Sequence, residues 1–210
     1  MQPRITEWAG SKPVIGLVGG MGSGKSEVAA EFARHGGCIV SGDRLGHEAL
    51  RQPAIREQVA RRWGTEVLAG DGEIERRKLG AIVFAAPAQR RELEAMVFPW
   101  IEQRIREEIN AAMTDPNCQL IVLDAAVMLE AGWAKACDRL VYVEAPRGLR
   151  LKRLAEQRGW STKDVTAREN AQLSLTEKAS HAHDAVDNSG SLEQLRPQVQ
   201  TLLRQWGLRA

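Results

Sequence analysis

Residues 14–26, VIGLVGGMGSGKS, limit most tightly what this chain can fold into. A short apolar run, VIGLV, ends in glycines, and the glycines end in Lys25-Ser26 ahead of a helix-forming segment, EVAAEFARHGG. Gly19-Gly20-Met21-Gly22-Ser23-Gly24-Lys25-Ser26 fits the pattern GxxxxGK[ST] with a strand before it and a helix after it, the context that gives the pattern its meaning. Glycines let the backbone curl with its amides turned inward, a concavity suited to phosphate oxygens. The N-terminus of the following helix adds unsatisfied N–H groups and a positive field. Gly20, Met21, Gly22, Ser23, Gly24, Lys25, Ser26 and Glu27 are therefore the expected nucleotide-binding residues. Lys25 is placed between the β- and γ-phosphates of ATP and Ser26 on Mg²⁺. The motif says that a phosphate chain is gripped and leaves open what receives the phosphate.

The rest of the chain supplies the frame. A strand at 14–18, a helix at 27–37 and a strand at 38–40 make a β–loop–α–β opening, the start of a three-layer α/β fold with a parallel sheet. Helical segments then interrupt the alternation: 54–63, a second after a turn at Asp71-Gly72, and a third from Pro87. In the third, apolar residues recur at Leu93, Met96, Val97, Trp100, Ile101, Ile105, Ile109 and Met113. Phe98-Pro99 is expected to bend or restart this helix. QLIVLD (119–124) and RLVYVEAP (139–146) read as central strands. A charged helix at 147–157 follows, then a helix capped by Ser161 and Asp164, further helix around 174–179, and a short strand in HDAVDNSG. The last helix is capped by Ser191 and Gln194 and has an inward stripe of Leu192, Leu195, Val199, Leu202 and Trp206. The expected division is a flexible tail at 1–12, a core at 13–44 and 114–210, a helical insertion at 45–113, and a lid region at 147–180 within the core.

Composition narrows the class of function. A net charge of +2 and a pI of about 8.5 are too mild to indicate a nucleic-acid partner. No run reaches the roughly 18 apolar residues that a membrane span needs. MQPRITEWAGSK contains Glu7 and lacks the apolar centre of a signal peptide. Cys38, Cys118 and Cys137 are isolated, which suits a reducing compartment, so the cytoplasm is expected. His181 and His183 are two apart, a poor spacing for one metal on a helix, and no zinc site is proposed. Six tryptophans are many, but their wide spacing suits packing better than a nucleic-acid stacking surface.

Four further groups carry candidate chemistry. Asp43 ends the second strand segment, on the side of the sheet where the phosphate loop emerges and where open α/β sheets bind ligands. It suits acceptance of a hydroxyl proton or a place in a metal shell, and equally a cap for the LGHEAL helix. Asp124 ends an apolar strand, the place for a second acidic group near Mg²⁺. Arg147, Arg150, Lys152, Arg153 and Arg158 cluster after Pro146, and Arg153 and Arg158 are the pair chosen to neutralise a transferring phosphoryl group. No NKxD-type stretch is present for GTP, and the VDNSG turn with Asn188 is a candidate frame for a purine.

From about Val14 to Leu203 the chain resembles the dephospho-coenzyme A kinase family, which phosphorylates the ribose 3′-hydroxyl of dephospho-CoA from ATP. IGLVGGMGSGKS matches the family's phosphate loop. SGDR falls on its DAD-type segment, which puts the family's base on Asp43. LDAAVMLE (123–130) takes the place of a strand followed by a PLLFE-like segment, putting family roles on Asp124 and Glu130. RLAEQR (153–158), RENAQ (168–172), Lys178 and VDNSG (186–190) fit its lid and adenine side. The resemblance implies a three-layer α/β P-loop kinase fold with a helical insertion for the CoA end and a helical lid. It also implies Mg²⁺ with ATP, held by Ser26 and Asp124, and direct transfer to a hydroxyl oriented by Asp43. ATP and dephospho-CoA are then the partners, without nucleic acid or membrane, and a monomer is compatible with it. The chain departs from the family pattern at four places. Ser41 stands for the first Asp, Phe98 for the His of an HP pair, Ala126 for a proline, and Arg150 for a common Gln. Two other readings are another small-metabolite kinase, such as a shikimate kinase, and a nucleotide-binding regulator with impaired catalysis.

Overall fold

The computed structural model describes residues 12–210, so the tail expected at 1–12 lies outside the described residues except for Lys12. The elements run β1 (Val14–Gly19), α1 (Lys25–Arg34), β2 (Gly37–Ser41), α2 (Gly42–Arg51), α3 (Pro53–Trp63), α4 (Arg76–Ala85), α5 (Pro87–Thr114), β3 (Leu120–Asp124), β4 (Arg139–Glu144), α6 (Arg147–Arg158), α7 (Thr162–Glu169), α8 (Leu175–Ser180), β5 (Asp184–Asp187) and α9 (Leu192–Gln205). They fall into two compact units, one up to Ser41 and from Arg106 onward, the other Gly42–Ile105.

The first unit is an α/β layer structure around a five-stranded sheet ordered β2-β3-β1-β4-β5, with every pairing parallel. β1 lies at its centre and is buried at all six positions, which is why VIGLVG reads as an unbroken apolar run and not as an alternation. Side chains such as Ile15 and Leu17 are fully buried, each worth about 1.5–3 kcal/mol relative to exposure. The core continues through Val28 and Phe32 of α1, Leu120 and Val122 of β3, Val141 and Val143 of β4, and Leu195, Val199 and Leu203 of α9. Phe32 stacks on Trp206 with ring centroids 5.8 Å apart. At its start β1 is pinned by Asp138, whose Oδ2 accepts from the Val14 amide at 2.8 Å. Because the chain passes from β1 out to β2, back to β3 and then across to β4, the order reverses between β1 and β3. Ligands bind at such reversals, beyond the carboxyl ends of the strands.

The second unit is helical, with a small antiparallel bridge between Leu68 and Ile74. The expected turn at Asp71-Gly72 closes it: Asp71 accepts from the Glu73 amide at 3.0 Å, and the Gly72 amide donates to the Ala69 carbonyl at 3.0 Å. Leu45, Ala49, Val59 and Val67 are fully buried, and Trp63 donates through Nε1 to Gln89 at 2.7 Å.

Four readings of local structure need correction. Helix α5 does not restart at Phe98-Pro99 but runs unbroken for 28 residues. Pro99 removes one backbone bond, to the Ala95 carbonyl, while Val97, Ile101, Ile105 and Ile109 stay buried along the same helix, and that burial outweighs the loss. Helix α1 is shifted from 27–37 to Lys25–Arg34, because the glycine loop passes straight into it with Gly24 as its cap. Asp43 does not end a strand; β2 stops at Ser41, and Asp43 lies in the first turn of α2, where an acidic side chain suits the helix field. Leu192 is 38% exposed, since it opens the first turn of α9, and Leu203 joins the inward stripe instead. The caps hold: Ser161 and Asp164 exchange bonds at the start of α7, and the Ser191 amide donates to Gln194 at 3.0 Å.

Candidate active site

The phosphate loop leaves β1 at Gly19 and enters α1 at Lys25. Gly24 caps that helix with φ +85°, and a Cβ there would stand 2.1 Å from Asn188 Nδ2, so both conformation and space demand glycine. Asn188, 2% exposed, uses both hydrogens of its amide nitrogen on the loop and the helix it enters: Nδ2 donates to the Ser23 carbonyl at 2.9 Å and to Glu27 Oε2 at 2.9 Å. Its own amide donates to Glu144 at the end of β4, so the turn after β5 is fastened beneath the loop.

Lys25 reaches back over the loop, with Nζ 3.1 Å from the Gly20 carbonyl and 3.4 Å from that of Gly19. Ser26 donates from Oγ to Asp124 Oδ2 at 2.6 Å. Sheet register explains that meeting, because Asp124 stands beside Leu17 on one side and Ser41 on the other, at the carboxyl ends of three adjacent strands. A hydroxyl and a carboxylate side by side at the mouth of a phosphate loop are hard oxygen donors, which suit Mg²⁺. The curled glycine segment likewise suits a polyphosphate, so the residues present fit both groups.

Helix α6 borders the loop. Arg153 donates to the Ser23 carbonyl at 3.4 Å and to the Asn188 carbonyl at 3.0 Å, with Glu27 4.0 Å away. Arg150 is buried and donates to the Met21 carbonyl at 3.1 Å and to Glu169 of α7 at 2.7 Å. Arg158 lies at the far end of α6, its guanidinium 5.1 Å from the centre of the Trp160 ring, which Arg168 also covers at 4.2 Å. Burial holds the Arg168 guanidinium below its ordinary pKa; the Asp164 carboxylate opposes that shift and the Arg158 charge adds to it. Beyond α7, the buried Lys178 pairs with Glu130 at 3.1 Å and donates to Gln172 at 2.9 Å, while the Leu173 amide donates to Glu130. The segment after β3 is thereby joined to the start of α8.

Of the residues singled out from sequence, Gly20 to Glu27, Asp124, Arg153 and Asn188 form one constellation. Arg158 belongs to a separate stack with Trp160 and Arg168. Asp43 is exposed on α2, in the helical unit. From sequence, Arg150 stands in the cluster after Pro146 but is not chosen as a site residue, and Glu169 enters only within the RENAQ segment of the family resemblance. A signal for Arg150 was present, since it lies four residues before the buried Leu154 and therefore on the inward face of α6.

The family model and the curated relatives agree. The family model described as dephospho-CoA kinase matches residues 13–194. A dephospho-CoA kinase of Carboxydothermus hydrogenoformans is 36% identical over 196 residues, covering 92% of this chain and 94% of its own length. One from Bacillus licheniformis is 37% identical over 195 residues, covering 92% and 96%. A crystal structure of a Thermus thermophilus protein superposes with a TM-score of 0.77 at 32% identity, over 92% of this chain and 97% of that one. The family match takes in the phosphate loop, the whole helical unit and helices α6 to α8, and on that extent the chain belongs to the dephospho-CoA kinase family.

Proposed function

We propose that this chain transfers the γ-phosphoryl group of ATP to the ribose 3′-hydroxyl of dephospho-CoA, giving CoA and ADP, the last step of coenzyme A biosynthesis. The observation that carries the reading is the single family match across residues 13–194, which includes both the phosphate loop and the helical unit. The bond formed is from the 3′-oxygen to phosphorus and the bond broken is from phosphorus to the β,γ-bridging oxygen. Asp43 orients the hydroxyl and takes its proton. Lys25 moves from the Gly19 and Gly20 carbonyls to the phosphates, and its charge, with those of Arg153 and Arg158, stabilises the charge that spreads during transfer. Ser26 and Asp124 would hold Mg²⁺, which when bound neutralises phosphate oxygens and aligns them. Residues 45–113 take the CoA end, and the 147–180 region acts as the lid that keeps water from the phosphoryl group. Among the described residues no helix is long and apolar enough to cross a membrane, which accords with a cytoplasmic enzyme working on two diffusible substrates.

Purified protein with Mg-ATP and dephospho-CoA is expected to form CoA and ADP in equal amounts, read by chromatography. ATP consumption with shikimate or a nucleoside monophosphate in place of dephospho-CoA would overturn the reading. Binding of ATP without turnover of any acceptor would point to the regulator instead.

A further inference from the structure

Arg150 is 3% exposed, a costly place for a guanidinium unless its donors are matched. Its Nη1 bonds the Met21 carbonyl at 3.1 Å and Glu169 Oε1 at 2.7 Å, which offsets part of that cost, while its buried Nε has no hydrogen-bond partner. The loop lies directly on the guanidinium, since a Cβ added at Gly20 would come 2.7 Å from Nη1. A trans peptide is planar, with its carbonyl and the next N–H pointing opposite ways. Holding the Met21 carbonyl toward α6 therefore turns the Gly22 N–H to the other face. The Ser23 carbonyl is held in the same manner by Arg153 and Asn188, which turns the Gly24 N–H away as well. Glycine-rich backbone left to itself would lose much conformational freedom on closing around an anion; a braced loop has lost it beforehand.

We infer that Arg150 is a positioning residue for nucleotide binding: it sets the Met21–Gly22 peptide with its N–H toward the phosphate side and, through Glu169, ties that setting to α7. Glu169 ends α7 and also accepts from Arg147 at 3.4 Å, so the lid helix is joined to the loop through one half-buried carboxylate–guanidinium contact. The inference rests on the reading of the loop as the ATP site and deepens it, because it adds a residue that acts through the backbone and not on the phosphates.

The test uses the full chain with Mg-ATP, titrated without acceptor and then in turnover with dephospho-CoA. Arg150→Met removes the bond to Met21 and is expected to weaken ATP binding about tenfold, the size of one hydrogen bond from a charged donor. The KM for dephospho-CoA should stay within about twofold, and amide hydrogen exchange at Gly22 in nucleotide-free protein should quicken. Arg150→Gln keeps a polar group but ends about two bonds short of the Nη1 position, so it too should lose the bond to Met21 and most of the affinity that goes with it. Glu169→Gln should cost about threefold and add nothing on top of Arg150→Met, as expected for one coupled unit. Parental ATP affinity in both Arg150 variants, unchanged exchange at Gly22, or equal rises in both KM values would overturn the inference. Should Arg150→Met not fold, Arg150→Gln and Glu169→Gln decide: parental ATP affinity with parental Gly22 exchange in both overturns it. A parent that binds Mg-ATP yet leaves dephospho-CoA untouched refutes the proposed acceptor alone, because the binding and exchange comparisons stand without turnover.

Discussion

The sheet unit and the helical unit, each taken by itself, use charge in opposite ways. Among the described residues, the buried polar and charged side chains, Ser23, Glu31, Arg150, Lys178 and Asn188, all belong to the sheet unit. Several of them join elements far apart in sequence: Asn188 to Ser23, Arg150 to Met21 and Lys178 to Ala126. In the helical unit the buried side chains are apolar, and charges pair near the surface. Arg44 meets Glu48 at 2.6 Å, Arg61 meets Glu57 at 2.9 Å, and Arg56 meets Glu73 at 2.6 Å. Buried polar ties demand one geometry, since each leaves a costly unmatched group if it breaks. Apolar stripes with surface pairs tolerate adjustment. A phosphate grip needs the first arrangement, whereas the acceptor role proposed for the helical unit is served by the second.

Asp43 would break this contrast most sharply, as a residue of the adaptable unit that the proposed chemistry cannot do without. Asp43→Asn is expected to lower kcat by about 10²-fold or more while leaving ATP affinity near that of the parent. Steady-state kinetics with dephospho-CoA check it, and turnover within a few-fold of the parent would remove Asp43 from the mechanism. Next in size is Lys178→Met, which takes the buried donor from Gln172 and the Ala126 carbonyl and leaves Glu130 with the Leu173 amide. Losing that donor is expected to destabilise by about 2–3 kcal/mol, measured by urea unfolding. In the helical unit Val59→Ala should cost about 2 kcal/mol through the cavity it leaves. The smallest effect belongs to Arg61→Ala, whose pair with Glu57 is about three-quarters exposed on both sides; unfolding should shift by less than about 0.5 kcal/mol. Should Arg61→Ala prove as costly as Lys178→Met, the contrast between the units is wrong.

Much of the fold was legible because its signals are local. VIGLV and QLIVLD are central strands buried on both faces, and RLVYVE is buried at Leu140, Val141 and Val143, so each announces itself by composition without reference to its neighbours. The capping residues Ser161 and Ser191 act within three residues of themselves. The unbroken passage of α5 through Pro99 rests on burial at Val97 and Ile101 that a local preference does not register, whereas Leu192 is exposed for a local reason, its place in the first turn of α9. The candidate site divides the same way. Lys25 and Ser26 are named by a motif of eight residues, but the partnership of Arg150 with Met21 spans 129 residues and is invisible to any window on the chain.

What the sequence determined by itself is the grip: a buried strand, glycines that permit the curl, and a lysine and a serine at the mouth of a helix. Short-range sterics and the helix field suffice for that. Only the tertiary structure decided how the grip is braced. Parallel pairing set Asp124 beside Leu17, within 2.6 Å of Ser26 at the sheet's carboxyl edge. Packing of α6 and of the turn after β5 put Arg150, Arg153 and Asn188 against the loop's carbonyls. A peptide plane can be turned only by a group that reaches it, and here those groups come from the opposite end of the chain.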